Sequence, residues 1–449
     1  MMVLQELQRD PASREAAGEA LALMASMYPI CRSITGDGVR RTLDLVEQVV
    51  PLERTEVPTG TPAFDWEIPP EWNVRDAYIA DASGRRVVDF RAHNLHLVSY
   101  SAPVDRIVSL DELQPHLHSL PDRPDWIPYR TSYYRENWGF CLRHTDREAL
   151  GPGPYRVVVD STLAPGHLTL AEIVVRGSTD GEALVYTHDC HPSLANDNLT
   201  GIAVAVALAR ALRQEQPRLT WRFVFGPGTI GSLAWLSRNE HRLPRLRAGL
   251  TIGLLGDAGP LRYKCSRRGD TVTDRIAAHV IGGEPFSGML TPFEPYGYDE
   301  RQFCSPGFDL PVGRITRSPN GTYPEYHTSA DDLALIRPEK LAESIRAVAR
   351  TISLLDANRR VLNLSGKGEP RLGKRGLYGS VGGAGPGEFE HALLWVLSLA
   401  DGGHDLLAMS QRSGMSFELL DRAATALEEA KLVRTLDEPS RGTDAVSRA

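Results

Sequence analysis

Cysteine is scarce in this 449-residue chain, and its five copies, Cys31, Cys141, Cys190, Cys265 and Cys304, are dispersed. No C-x-x-C occurs and the number is odd, which excludes a disulfide scaffold or a cysteine-rich zinc site as the organising device and fits a reducing compartment. No apolar run approaches the roughly 20 residues that cross a bilayer. The opening stretch, MMVLQELQRDPASREAAGEA, carries no apolar signal-peptide core. A cytoplasmic protein without membrane contact is therefore expected. Basic blocks are missing too: the net charge is −7 and Lys and Arg are scattered, so no surface for nucleic acid or an anionic membrane stands out. What remains is an ordinary globular composition in a chain long enough for two or three domains.

Residues 15 to 50 read as two helices, with apolar stripes at Leu21, Leu23, Met24 and Met27 and at Leu43, Leu45, Val46 and Val49. The turn SITGDGVR separates them. From 59 to 150 helical periodicity fades, and short β-prone pieces (AFDWEIPPEW, RRVVDF, LHLVSYS, WGFCLRH) alternate with Pro and Gly, the texture of a small β unit. Many of the aromatics lie there and should fill its core. The run IPYRTSYYRENWGF is too polar between its rings for that and is expected in part to face a cleft or a partner. From Tyr155 to Ser353 strands (YRVVVDSTL, LTLAEIVVRG, ALVYTH, WRFVFGP, AGLTIGLLGD, LPVGRITR) alternate with helices. That alternation predicts a mostly parallel sheet flanked by helices.

The β unit thus reads as an insertion at 59–150 in an α/β domain made of 1–58 and 151–365. Residues 366–388 read as a Gly-rich linker, 389–436 as a winged-helix-like unit of three helices, and 437–449 as a disordered tail. The third helix sets Glu418, Asp421, Glu428 and Glu429 against Arg422 and Lys431, which is wrong for phosphate contact. Packing, or homo-oligomerisation through this unit or the inserted one, is expected in place of nucleic-acid binding.

The chemistry concentrates between Leu184 and Leu212, LVYTHDCHPSLANDNLTGIAVAVALARAL. A β-prone run is followed by a turn holding His188, Asp189, His191, Asn196, Asp197 and Asn198. An apolar run from Ile202 to Leu212 then suits a buried helix. Open α/β sheets place ligands at the carboxyl ends of strands, and imidazole with carboxylate suits a divalent metal such as zinc. Asn and Asp also cap helices, but three in a row behind two histidines exceed what capping needs. Cys190, between the histidines, reads as a buried, inert thiol. Two further strand ends carry polar clusters, Asp257 in LLGDAG and His327 in YPEYHTSADD. Brought together, two imidazoles and two carboxylates make a zinc site able to activate water and polarise a carbonyl.

On these motifs the chain resembles the zinc-dependent aminopeptidases whose clan includes bacterial leucyl aminopeptidase and glutaminyl cyclase. More closely, it resembles a bacterial aminopeptidase-like subfamily with an inserted small β domain and a C-terminal winged helix. SITGDGVR, AFDWEIPPEW, NLHLVSYSAPV, IPYRTSYY, WGFCL, CHPSLANDNLTG, GTIGS, GDAGPLRYK and YPEYHTSADDL carry that likeness over nearly the whole chain. The resemblance implies a hydrolase with one or two zinc ions, cleaving an amide bond in a small peptide or aminoacyl metabolite. Members of the subfamily tend to belong to surface-polysaccharide or specialised-metabolite pathways. A deacylase or cyclase on the same scaffold is a rival reading, as is a catalytically impaired binding or scaffold protein.

The resemblance further implies His191 as first metal ligand, with His188 permitted by the same spacing. Asp197 would bridge metals, Asp257 would be a further carboxylate ligand and His327 the late ligand. Asp331 or Asp332 would orient an imidazole. One departure matters. Where the family has P-E-T-I-G-S, this chain has Pro227-Gly228-Thr229-Ile230-Gly231-Ser232, and Gly228 has no carboxylate. Losing a proton acceptor typically costs about a hundred- to ten-thousand-fold in rate. Either Glu300 or Glu325 substitutes as catalytic acid–base group, or hydrolysis is slow or absent.

Overall fold

The computed structural model describes residues 2–377 and 387–436. The tail at 437–449, and residues 378–386 of the Gly-rich stretch, lie outside the described residues. The chain divides between Arg350 and Thr351 into two units.

The larger unit is built on an eight-stranded sheet in the order Glu53–Pro58, His167–Val175, Thr220–Gly226, Glu182–His188, Leu246–Ile252, Val312–Thr316, Arg262–Lys264, Met289–Thr291. The four strands from Thr220–Gly226 to Val312–Thr316 run parallel, and antiparallel strands flank them. Every residue of Glu182–His188, Thr220–Gly226 and Val312–Thr316 is buried. Parallel strands covered on both faces need such near-continuous apolar runs. The covering helix Thr200–Leu212 buries all its residues except Ala207 and Arg210. Its Ala and Val side chains let it sit close against the helix Asp10–Met27, and each Val, Leu or Ile buried there contributes about 1.5–3 kcal/mol. Because the four central strands share one direction, the segments that follow them gather at one edge of the sheet.

The inserted unit carries a four-stranded antiparallel sheet, Arg86–Asp89, Glu71–Ala80, Tyr155–Ala164, Val104–Val108. Tyr155–Ala164 was expected to open the α/β domain; it is instead a central strand of this sheet, and the main sheet resumes at His167. Alternating apolar residues mark a strand but do not choose its sheet; pairing with Glu71–Ala80 does. The core runs without a break from Trp72 and Val157 of the insertion to Leu170 and Tyr186 of the main sheet.

In the smaller unit, strands Arg360–Asn363, Asp401–Asp405 and Val433–Thr435 form a sheet beside helices Glu388–Leu399, Leu406–Ser413 and Phe417–Glu429. The three expected helices are there. The unit begins earlier than 389, because the four-residue strand at 360 finds its pairing partners only far along the chain. Among the described residues no helix is long and apolar enough to cross a membrane.

Candidate metal centre

The Asn196-Asp197-Asn198 turn, which follows the strand Glu182–His188, ties three chain segments together. Asn198 Nδ2 donates to Thr187 Oγ1 at 2.8 Å and to the His188 carbonyl at 3.0 Å, while its Oδ1 accepts from Leu254 N at 3.2 Å. Asn196 Oδ1 accepts from Gly256 N at 2.9 Å. Asp331 accepts the backbone N–H groups of Asn196 and Asp197 at 2.6 and 3.1 Å and the Tyr323 hydroxyl at 3.0 Å. The turn is therefore fully buried, with the amide side chains of Asn196 and Asn198 satisfied. From the N-terminal region, Arg32 Nε donates to the His191 carbonyl at 2.8 Å and Ser193 Oγ donates to the Tyr28 carbonyl at 2.9 Å, which fixes the His191–Ser193 segment.

Three ligand atoms meet above this turn. His191 Nε2, His327 Nε2 and Asp197 Oδ2 form a triangle with edges of 3.2, 3.1 and 3.6 Å. A tetrahedral zinc with bonds of about 2.0–2.1 Å has ligand–ligand edges of about 3.3–3.4 Å. Asp197 is fully buried, and its Oδ2 forms no hydrogen bond among the described residues. An unsatisfied buried acceptor costs about 1–3 kcal/mol, and a coordinating cation would remove that cost. Residues and spacing both fit a metal ion.

His188, His191 and Asp197 also bring one ligand atom each within 4.8 Å of one another, but His188 is engaged otherwise. Its Nε2 lies 2.8 Å from Asp197 Oδ1 and its Nδ1 3.2 Å from Asn198 Nδ2. An amide nitrogen only donates, so Nδ1 is the acceptor and Nε2–H donates to Asp197. His188 thereby holds one carboxylate oxygen and leaves the other for the triangle.

Burial pushes the Asp197 carboxyl up, but His191 and the His188 hydrogen bond outweigh it and hold it well below the usual range. Burial pulls His191 well below its ordinary value. Carboxylate and neutral imidazole are the forms that bind metal.

His327 reaches the site from the loop after Val312–Thr316, with a left-handed backbone at φ 55°. Its carbonyl accepts from Tyr129 N at 2.7 Å, and the Tyr326 ring stacks on it with centroids 3.9 Å apart. Tyr129 also lies against both His191 and His327, with centroids at 5.2 and 5.0 Å. From the IPYRTSYYRENWGF run, Tyr129 is thus a buried ring beside both imidazoles.

The other sequence candidates lie elsewhere. Asp257 is buried and engaged by other groups: it accepts from Asn196 Nδ2 at 2.9 Å, Gly259 N at 2.7 Å, and Ser318 Oγ and N at 2.7 and 3.3 Å. Its carboxylate braces the turn. Glu300 forms a buried ion pair with Lys264 at 2.9 Å and accepts from Tyr298 N at 3.2 Å. Glu325 is half-buried and bonds to Thr328 through its carbonyl, at 2.7 Å from Oγ1. Asp332 caps the 3-10 turn Leu333–Leu335, and Asp331 holds backbone, so neither touches an imidazole.

At Gly228 the departure has a structural counterpart. A Cβ there would meet Tyr298 Cε1 and Oη at 2.4 Å. The Tyr298 ring lies over His188 with centroids 3.9 Å apart, and its Oη is 3.5 Å from His191 Nε2. Sequence reasoning missed Tyr298 because nothing in YGYDE marks it, and only the fold brings it to Gly228.

A mostly parallel sheet with this cluster at its carboxyl edge is the aminopeptidase-like fold. A Bacillus subtilis zinc aminopeptidase shares it with a TM-score of 0.56 over 75% of this chain and 94% of that one, at 14% identity. A family profile described as "Domain of unknown function (DUF4910)" matches residues 21–358, and a winged helix-turn-helix profile matches 359–435. The chain belongs to the DUF4910 family. A Clostridium acetobutylicum relative named "Putative polysaccharide biosynthesis protein with aminopeptidase-like domain" is 45% identical over 423 residues, 94% of this chain and 97% of that one. A crystal structure from the same species, described as a "putative peptidase", has a TM-score of 0.87 at 43% identity and covers 96% of this chain and 100% of that one.

Proposed function

We propose that this protein is a zinc-dependent hydrolase of aminopeptidase type, cytoplasmic, that cleaves an amide bond in a small peptide or aminoacyl metabolite. The observation that carries the reading is the His191–Asp197–His327 triangle with its unpartnered Asp197 Oδ2. Zinc held there supplies a Lewis acid and a water of lowered pKa. His191, Asp197 and His327 are the ligands, and His188 fixes the Asp197 carboxylate. Tyr129 lies against both imidazoles and Tyr326 stacks on that of His327. A single ion is proposed, because Asp257 and Glu300 are engaged by other groups and Asp197 is the one carboxylate of the metal-binding group found among the described residues. The name of the Clostridium relative supports a substrate linked to polysaccharide assembly, where a deacylase on the same scaffold would act on an N-acyl group.

A second reading rests on Gly228. With Tyr298 in place of a carboxylate, the protein would bind its ligand through the ion without turnover. The winged-helix unit is proposed as a packing or oligomerisation module that does not take nucleic acid: Asp421 of its third helix is paired with Arg359, and acids outnumber bases along that helix.

Metal analysis of protein purified without chelator, followed by dye release from aminoacyl-anilides by wild type and Asp197→Ala, tests both readings. One zinc per chain and turnover that disappears in the variant are expected. Absence of zinc, or equal rates, refutes the hydrolase; zinc without turnover selects the binding protein.

A further inference from the structure

The turn Gly297–Glu300 is built to deliver one side chain. Glu300 is fully buried, ion-paired to Lys264 at 2.9 Å, and accepts the Tyr298 N–H through both carboxylate oxygens at 3.2 Å. Lys264 also donates to the Tyr296 carbonyl at 2.6 Å. Gly297 has φ 154°, and a Cβ there would strike Glu300 Oε1 at 2.1 Å, so the chain passes directly over this carboxylate. Next in sequence, Asp299 accepts from Thr229 N at 2.8 Å and Ser232 Oγ at 2.6 Å, which locks the same turn to the helix that follows Gly228.

Tyr298 is thus fixed from both sides. Its ring fills the space into which a residue at 228 would extend, and its hydroxyl lies 3.5 Å from His191 Nε2 and 3.9 Å from Cys190 Sγ. Neither distance is a satisfying hydrogen bond to a strong acceptor, so the phenolic hydrogen is available to a ligand. The residue is half-buried.

We propose that Tyr298 is a ligand-binding residue of this site, standing where a strand-end carboxylate would otherwise be. It donates its phenolic hydrogen to an oxygen of an anionic or carbonyl ligand held at the His191–Asp197–His327 triangle. A carboxylate at 228 would repel an oxyanion and accept protons; a phenol attracts an oxyanion and donates one. The chemical class this site favours is therefore a tetrahedral or planar oxyanion. The inference rests on the metal-centre reading above.

The test uses the full chain loaded with cobalt(II), whose visible spectrum reports ligand binding, and inorganic phosphate as the oxyanion probe. Wild type should bind cobalt and change its spectrum as phosphate is added. Tyr298→Phe should bind cobalt within about threefold of wild type but phosphate about ten- to a hundredfold more weakly, the effect of losing one hydrogen bond to a charged group. Tyr298→Leu should lose phosphate affinity to the same extent, which separates the hydroxyl from ring packing. Equal phosphate affinity in wild type and Tyr298→Phe, or no phosphate effect on the wild-type spectrum, overturns the proposal and leaves the metal centre intact. Failure of wild type to bind cobalt overturns both. Tyr298-dependent phosphate binding in a protein that does not cleave anilides supports the proposal and removes only the hydrolase.

Discussion

Asp257 is where a ligand role and a bracing role predict opposite outcomes, and Asp257→Ala separates them. The carboxylate accepts four hydrogen bonds, from Asn196 Nδ2, Gly259 N, Ser318 Oγ and Ser318 N. Truncation leaves these donors to fend separately. Ser318 Oγ can rotate. Gly259 and Ser318 are half-buried, so water can replace the lost acceptor for their N–H groups. Asn196 is fully buried, and its Nδ2 loses the Asp257 carboxylate as acceptor with no water to replace it. One fully orphaned donor at about 1–3 kcal/mol, plus partial losses at the others, gives an expected destabilisation of about 2–3 kcal/mol. Zinc affinity should fall only about tenfold, because Asn196 Oδ1 still anchors to Gly256 N and Asp331 still holds the turn backbone. The assay pairs urea unfolding of the metal-free protein, followed by tryptophan fluorescence, with calorimetric zinc titration of the same sample. A bracing residue moves the unfolding midpoint far more than it moves the zinc affinity. An unchanged midpoint with zinc binding abolished would show that Asp257 is a ligand and that the triangle is incomplete.

The two histidines of the first turn should separate in the same titration: His191→Ala removes a ligand and should abolish tight zinc binding, whereas His188→Ala, acting through Asp197, should cost about ten- to a hundredfold. Gly228→Glu should not confer anilide hydrolysis, because its Cβ collides with Tyr298 at 2.4 Å; a melting curve should show a loss of about 1–3 kcal/mol, and any gain in turnover counts against the assignment of that space. In the insertion, hydrogen bonds from Arg40 hold Glu71 down at about 2 from the ordinary 4.5. A depressed carboxylate stabilises the fold above pH 4.5 and loses that contribution as pH falls towards 2. Arg40→Met should therefore cost about 1–2 kcal/mol at pH 7, allowing for solvent at this partly exposed pair, and acid unfolding curves of variant and wild type should converge as pH falls to about 2.

The main sheet was legible because its strands are continuous apolar runs between turn residues, a signal that survives without knowing the neighbours. The turn at 188–198 was legible because its ligand-type side chains lie within a dozen residues of one another. The insertion's last strand was misplaced at Tyr155, since period-two alternation is identical whichever sheet the strand joins. Arg360–Asn363 was missed, being too short to signal without its distant partners. His327 could be found because it sits in a polar loop at a strand end. Tyr129 was half visible, as one ring in a run too polar to be core.

Asp257 and Gly228 both follow strands of the main sheet. The strand Leu246–Ile252 ends five residues before Asp257. The position that directly continues the strand is Gly253, where a Cβ would meet Asn198 Oδ1 at 2.5 Å. The carboxylate five residues on has already turned the corner and braces the Asn196 turn from the side. On the other side of Glu182–His188, the strand Thr220–Gly226 is followed by Pro227 and then by Gly228, whose space is taken by Tyr298. After the two strands that flank Glu182–His188, Gly253 and Gly228 therefore carry no side chain, and each yields its volume to a group from another segment, an amide in one case and a phenol in the other. Neither replacement is a carboxylate. Within the triangle the negative charge comes from Asp197 alone. The proposals of a single ion and of an oxyanion ligand both rest on that single charge.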